Sequence, residues 1–126
     1  MKLRIKDNSI RIRLTRSEVE KFAADGYIAA HTVFMDKRFS YALQAVNNDS
    51  EHLTASYHSD VITMHVPETL KKLWTETERV GFDAWMPVED GQKLYLLLEK
   101  DFKCLDETME DQSDAYDNPV LAKQNS

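Results

Sequence analysis

Five basic side chains, Lys2, Arg4, Lys6, Arg11 and Arg13, recur at alternate positions in two short runs near the start of a chain that is acidic overall. Successive side chains of a strand point to opposite faces. Residues 2–6 and 9–14 therefore put Leu3, Ile5, Ile10, Ile12 and Leu14 on one face and the five cations on the other. A turn centred on Asp7-Asn8 sets Ile5 opposite Ile10 and Leu3 opposite Ile12, and with them Arg4 opposite Arg11 and Lys2 opposite Arg13. Directly opposed like charges destabilise a strand pair by roughly 0.2–1 kcal/mol each, and a one-residue slip relieves them only by turning the apolar face to water. The pattern calls for a negative companion, so the five residues form a candidate anion-binding face. The competing reading is a solvated edge that resists aggregation, with the long side chains splayed into water.

The chain carries its own source of carboxylates. Residues 1–21 hold seven basic and three acidic side chains, whereas residues 99–126 hold three basic and eight acidic. The segment containing Asp106, Glu110, Asp111 and Asp114 is too polar to build a core element. These four are the expected partners of the basic face, with residues 106–126 an acidic tail, partly docked or mobile, behind a single domain over 1–105. Docked, the tail either completes the fold or covers an anion site as a displaceable stand-in. Otherwise the face meets another protein or a small anion.

Other chemistries have weaker support. Three glycines in 126 residues supply no phosphate-cradling loop and no G-x-S-x-G elbow. Cys104 with Asp106, Glu110, Asp111 and Asp114 matches neither a zinc spacing nor a calcium loop, so no metal or other cofactor is expected, and Cys104 reads as a small buried hydrophobe at a strand end. His52 and His65 are expected on one face, diagonal to each other, among Thr54, Ser56 and Thr63, as part of a polar surface. Trp74, Trp85, Tyr41, Tyr57 and Tyr95 are expected in the core.

Elements that could position these residues follow from periodicity. Thr15 and Glu18 form a capping box, and Val19, Phe22 and Ala23 give a helical stripe stopped at Asp25-Gly26. Runs 27–35 and 39–46 form a second hairpin through Asp36-Lys37-Arg38. Asn47-Asn48-Asp49-Ser50 makes a loop, and a third hairpin, 53–57 with 61–66, turns at Ser59-Asp60. Pro67 suits the first position of a second helix with the stripe Leu70, Leu73 and Trp74, ending before Gly81. Runs 82–86 and 93–99 form a fourth hairpin through Asp90-Gly91, its Leu94, Leu96, Leu97 and Leu98 suggesting a strand covered on both faces. The fold class expected is α+β: an antiparallel sheet of about eight strands in four hairpins with two helices on one face. Its pattern suggests a ββαββ duplication at an offset of 51 residues. The alternative architecture is a half or full β-barrel with outer helices.

A chain of this length, 42% hydrophobic, makes one domain with a proper core. A single cysteine, no signal-like opening and no long apolar run make cytoplasmic the expected localisation, with no membrane partner. A net charge of −6 argues against nucleic acid as a partner. The run 3–19, Leu-Arg-Ile-Lys-Asp-Asn-Ser-Ile-Arg-Ile-Arg-Leu-Thr-Arg-Ser-Glu-Val, together with Leu98 to Asp106, 110–114 and Asn118-Pro119, resembles an uncharacterised family of small bacterial proteins classed as a domain of unknown function. The resemblance covers nearly the whole chain and implies no activity, cofactor or catalytic residue. The expected function is a non-enzymatic binding or accessory domain. The alternative is a phosphate-handling enzyme resembling the triphosphate tunnel hydrolases, which grip polyphosphate with basic residues inside a strand-built tunnel. Those enzymes open on alternating glutamates, and here the stretch is Lys2-Leu3-Arg4-Ile5-Lys6.

Overall fold

The computed structural model describes residues 1–47 and 49–102. β1 (Lys2–Lys6) and β2 (Ser9–Leu14) pair antiparallel in the expected register, with Asp7 at φ 49° in the turn. α1 (Arg16–Asp25) starts at the Thr15 capping box, whose Thr15 N–H donates to Glu18 Oε1 at 2.8 Å. It ends at Gly26, which takes the left-handed φ of 69° that glycine adopts without a Cβ clash and donates to the Phe22 carbonyl. β3 (Tyr27–Val33) and β4 (Arg38–Val46) follow, then β5 (Thr54–His58) and β6 (Val61–Pro67). α2 (Glu68–Glu76) leads to β7 (Gly81–Pro87), a 3-10 turn at Glu89–Gly91 and β8 (Lys93–Lys100). Pro67 is the N-cap of α2 and the last residue of β6, one position earlier than expected. No helix among the described residues is long and apolar enough to cross a membrane.

The four hairpins do not join into one antiparallel sheet, nor do they close a barrel. They form two four-stranded mixed sheets, ordered β1-β2-β8-β7 and β3-β4-β6-β5. β2 pairs parallel with β8 in one and β4 parallel with β6 in the other. Each helix carries the chain from one sheet to the other: α1 from β2 to β3, and α2 from β6 to β7. The reason is coverage. Helices of 10 and 9 residues are only about 15 Å long, while eight strands side by side would span about 38 Å. Two such helices cannot cover that apolar face, but two sheets can cover each other. Tyr41 of β4 reaches across to donate to the Met1 carbonyl at 2.9 Å, and one core runs through both sheets, from Ile10, Ile12, Leu96 and Leu98 to Leu43, Met64 and Val66.

The duplication is visible as repeated geometry. Tyr95 N–H donates to the Asn8 carbonyl at 3.0 Å, as Ser40 N–H does to Asp60. Lys100 N–H donates to Val80, as Ala45 N–H does to Gly26. The half-turn relating the units exchanges the sheets. The offset over the first strands and helices is 52 rather than 51: Asp7 (φ 49°) corresponds to Ser59 (φ 50°) and Phe22 to Trp74. A one-residue error places Leu73 in the stripe, whereas Leu73 is 42% exposed. Phe22 and Trp74 are fully buried and meet edge to face, 6.3 Å between centroids, where α1 and α2 cross. Trp74 Nε1 also donates to the Val80 carbonyl at 2.9 Å.

Two tests follow. Phe22→Ala is expected to cost about 3–5 kcal/mol and Leu73→Ala less than about 1 kcal/mol, read by urea unfolding. Gly81 lies against the neighbouring β8 backbone, where an added Cβ collides with the Leu98 carbonyl oxygen, so Gly81→Ala is expected to lower stability by about 1–3 kcal/mol in the same assay.

Candidate anion-binding face

Strand order places the cations beside acids that sequence reading did not pair with them. Register aligns three rows across the outward face of the first sheet: Lys2, Arg13, Glu99 and Gly81; Arg4, Arg11, Leu97 and Asp83; Lys6, Ser9, Tyr95 and Trp85. Arg11 Nε lies 2.9 Å from Glu99 Oε1, and Arg13 Nε lies 3.5 Å from the same oxygen. Asp101, just past β8, is held by its N–H donating to the Leu14 carbonyl at 2.8 Å. Its carboxylate takes Lys2 Nζ at 3.0 Å and approaches Arg13 Nη1 at 4.0 Å. The Arg11 and Glu99 atoms are shut off from water yet not aligned as a hydrogen bond, so this contact is an ion pair by distance alone. Such a desolvated pair depends on both partners remaining present.

Glu99 and Asp101 thus serve Lys2, Arg11 and Arg13. Among the described residues no carboxylate lies within ion-pair distance of Arg4 or Lys6, which are exposed. The surplus of positive charge collects at the turn end of the β1–β2 ribbon. The expected tail partners Asp106, Glu110, Asp111 and Asp114, and Cys104, lie outside the described residues. Alternation in 93–100 does put Glu99 on the outward face, but its neighbour Arg11 is 88 positions away in sequence, and no local signal brings the two strands together.

Three aromatic expectations are corrected, two of them on the same face. Trp85 and Tyr95 are not core residues: they are a cross-strand pair on the outward surface, 4.6 Å between centroids. Tyr57 is likewise exposed. Their parity decides this, because Ala84 and Met86 take the inward positions of β7. The Tyr95 hydroxyl donates to Asp83 Oδ2 at 2.9 Å, and that bond, aided by burial and the nearby acids, raises its pKa. The strand expected to be covered on both faces is fully buried on one, at Leu96 and Leu98, with Leu94 and Leu97 half-buried.

His52 and His65 do not share a face. β5 begins at Thr54, leaving His52 exposed in the preceding loop, while His65 lies on the outer face of the second sheet with Nε2 3.1 Å from Ser56 Oγ. Among the described residues no three His, Cys, Asp or Glu side chains are placed to hold a metal ion. Burial lowers the His65 pKa. Its folded state therefore prefers the neutral ring: the stability this contributes is complete above pH 6.5 and declines as pH falls from there toward the lowered folded value. His65→Gln is expected to lose less stability between pH 7 and 5 than the parent chain, measured by denaturation at each pH.

No curated protein and no solved structure matches the sequence. A family model described as a family of unknown function, DUF7009, matches residues 1–120, and the chain belongs to that family.

Proposed function

We propose that the protein is a non-enzymatic binding domain whose basic sheet face, Lys2, Arg4, Lys6, Arg11 and Arg13, receives an acidic polypeptide segment. One observation carries the reading: among the described residues two carboxylates, Glu99 and Asp101, pair with Lys2, Arg11 and Arg13, and none lies within ion-pair distance of Arg4 or Lys6 at one end of the ribbon. The chain's own residues 106–117 are the nearest candidate, because Asp101, already seated between Lys2 and Arg13, stands five residues before Asp106. Residues 106–117 carry six acidic side chains, Asp106 and Asp117 included. Charge-assisted contacts of this kind are individually weak on an open surface, about 0–1 kcal/mol, and become selective as a set. The same segment from another protein would compete for the face. The tunnel-hydrolase alternative draws no support from cations that line the outside of an open sheet.

Truncation after Lys103 and addition of a labelled peptide of residues 104–120 tests the reading. The truncated chain is expected to bind the peptide at low ionic strength, more weakly by tenfold or more at 0.3 M salt and more weakly still in Arg4→Glu/Lys6→Glu. The full chain is expected to bind less well than the truncated one. Absence of binding at low salt removes the proposal. Glu99→Gln strips the shared carboxylate from two arginines, so it is expected to cost about 1–3 kcal/mol in stability and to tighten peptide binding, read by melting and fluorescence anisotropy.

A further inference from the structure

The opposite edge of the first sheet carries an exposed carboxylate, Asp83, beside an exposed indole, Trp85. β5 and β7 are both edge strands, and they approach each other along the seam between the sheets, where Ala55 N–H donates to the Met86 thioether at 3.3 Å. Beside that seam lies an open cleft of about 440 Å³, within the range of about 300–1,000 Å³ typical of small-ligand sites. The loop joining the two ββαββ units forms one wall, with His52 and Leu53, and β7 forms the other, with Asp83, Trp85 and Met86.

Three features select a ligand chemistry. Trp85 lines the cleft and is 63% exposed, with the Tyr95 ring packed beside its indole at 4.6 Å. Asp83 and Trp85 alternate on the same strand face, roughly 7 Å apart, so a group over the indole is within reach of the carboxylate. The Tyr95 hydroxyl bonded to Asp83 Oδ2 at 2.9 Å fixes that carboxylate's orientation and leaves Oδ1 available. Asp83 is the one carboxylate among the lining residues, which include no Lys or Arg; Asp49, Glu51, Glu89 and Asp90 are sequence neighbours of the walls. Lys93, in register with Pro87, and Arg79, stacked over Phe82 at 4.5 Å, are the flanking cations. Indole is the strongest aromatic partner for a cation, and its attraction grows when a nearby anion and apolar walls displace water. An anionic ligand would meet the Asp83 carboxylate, and a wholly apolar one would leave it desolvated.

We propose that this cleft binds a cationic amine carried on an apolar stem, the ammonium resting between the Trp85 ring and Asp83 and the stem lying along Met86 and Pro87. A free alkylamine and the lysine side chain of a polypeptide present the same chemistry. The site shares no residue with the basic face and stands independently of the function proposed for it.

The test is a titration of the full ¹⁵N-labelled chain with n-butylammonium, followed at the Trp85 indole N–H and the amides of residues 83–86, with n-butanol and butyrate as controls. Saturable shifts with the amine are expected, with affinity about tenfold lower in Asp83→Asn and in Trp85→Ala and unchanged in Arg4→Glu/Lys6→Glu. Both cleft side chains are exposed enough for the variants to fold, and their spectra report that directly. Equal binding of butanol, or unaltered amine binding in both cleft variants, overturns the proposal, as does the absence of saturable shifts. A parallel titration with acetyl-Ala-Lys-Ala-amide separates the sources: tighter binding than butylammonium marks a polypeptide lysine as the occupant, and equal or weaker binding marks a free amine.

Discussion

β2 and β8 lie side by side and parallel, Ile10 in register with Leu96 and Ile12 with Leu98, and this pairing decides most of what the protein is. It ties the first hairpin to the last, across nearly the whole described chain. Because the strands at its centre are buried on their inner faces, the pairing is held by apolar contact as well as by its hydrogen-bond ladder. Its counterpart, β4 with β6, does the same for the two middle hairpins. Together the two pairings oblige α1 and α2 to cross between sheets, and the crossing brings Phe22 against Trp74 at the meeting point of the repeats.

The surface chemistry is a by-product of the same pairing. Parallel register sets Arg11 and Arg13 next to Glu99 and brings Asp101 to the end of β2. A ribbon of five cations that would repel itself in isolation is thereby partly neutralised along its length, and the remaining positive charge is displaced toward Arg4 and Lys6. Across the sheet, Glu99 and Asp83 lie on the inner and edge strands of the far side. The net charge of −6 therefore does not describe the ribbon end of the sheet, where Arg4 and Lys6 stand exposed.

The pseudo-symmetry of the fold does not extend to those surfaces. The outer face of the first sheet is charged, whereas that of the second places small and neutral polar side chains, Ala29, Ala42, Thr63 and Ser56, in one row. Equivalent backbone hydrogen bonds with different side chains are what is expected when the core constrains inward positions and leaves outward ones free to diverge. Trp85 illustrates the freedom: its neighbours Ala84 and Met86 are bound to the core, while the indole itself is available to the cleft.

The sequence by itself determined the four hairpins, both helices, the caps of α1 and the parity of β1 and β2, because these depend on contacts within a few residues: alternation, the Thr15–Glu18 box, the left-handed Gly26 and the Asp7, Asp60 and Asp90 turn positions. It also determined that Lys2, Arg4, Lys6, Arg11 and Arg13 share a face. Which strands become neighbours was decided by the tertiary structure alone. Hairpins with similar apolar faces are interchangeable locally, and the choice between one wide sheet and two facing ones turns on how much apolar surface two short helices can cover. For that reason Glu99 and Asp101 as partners of the arginines, the exposure of Trp85 and Tyr95, the separation of His52 from His65, and the cleft between β5 and β7 could be read only after the strands were in order.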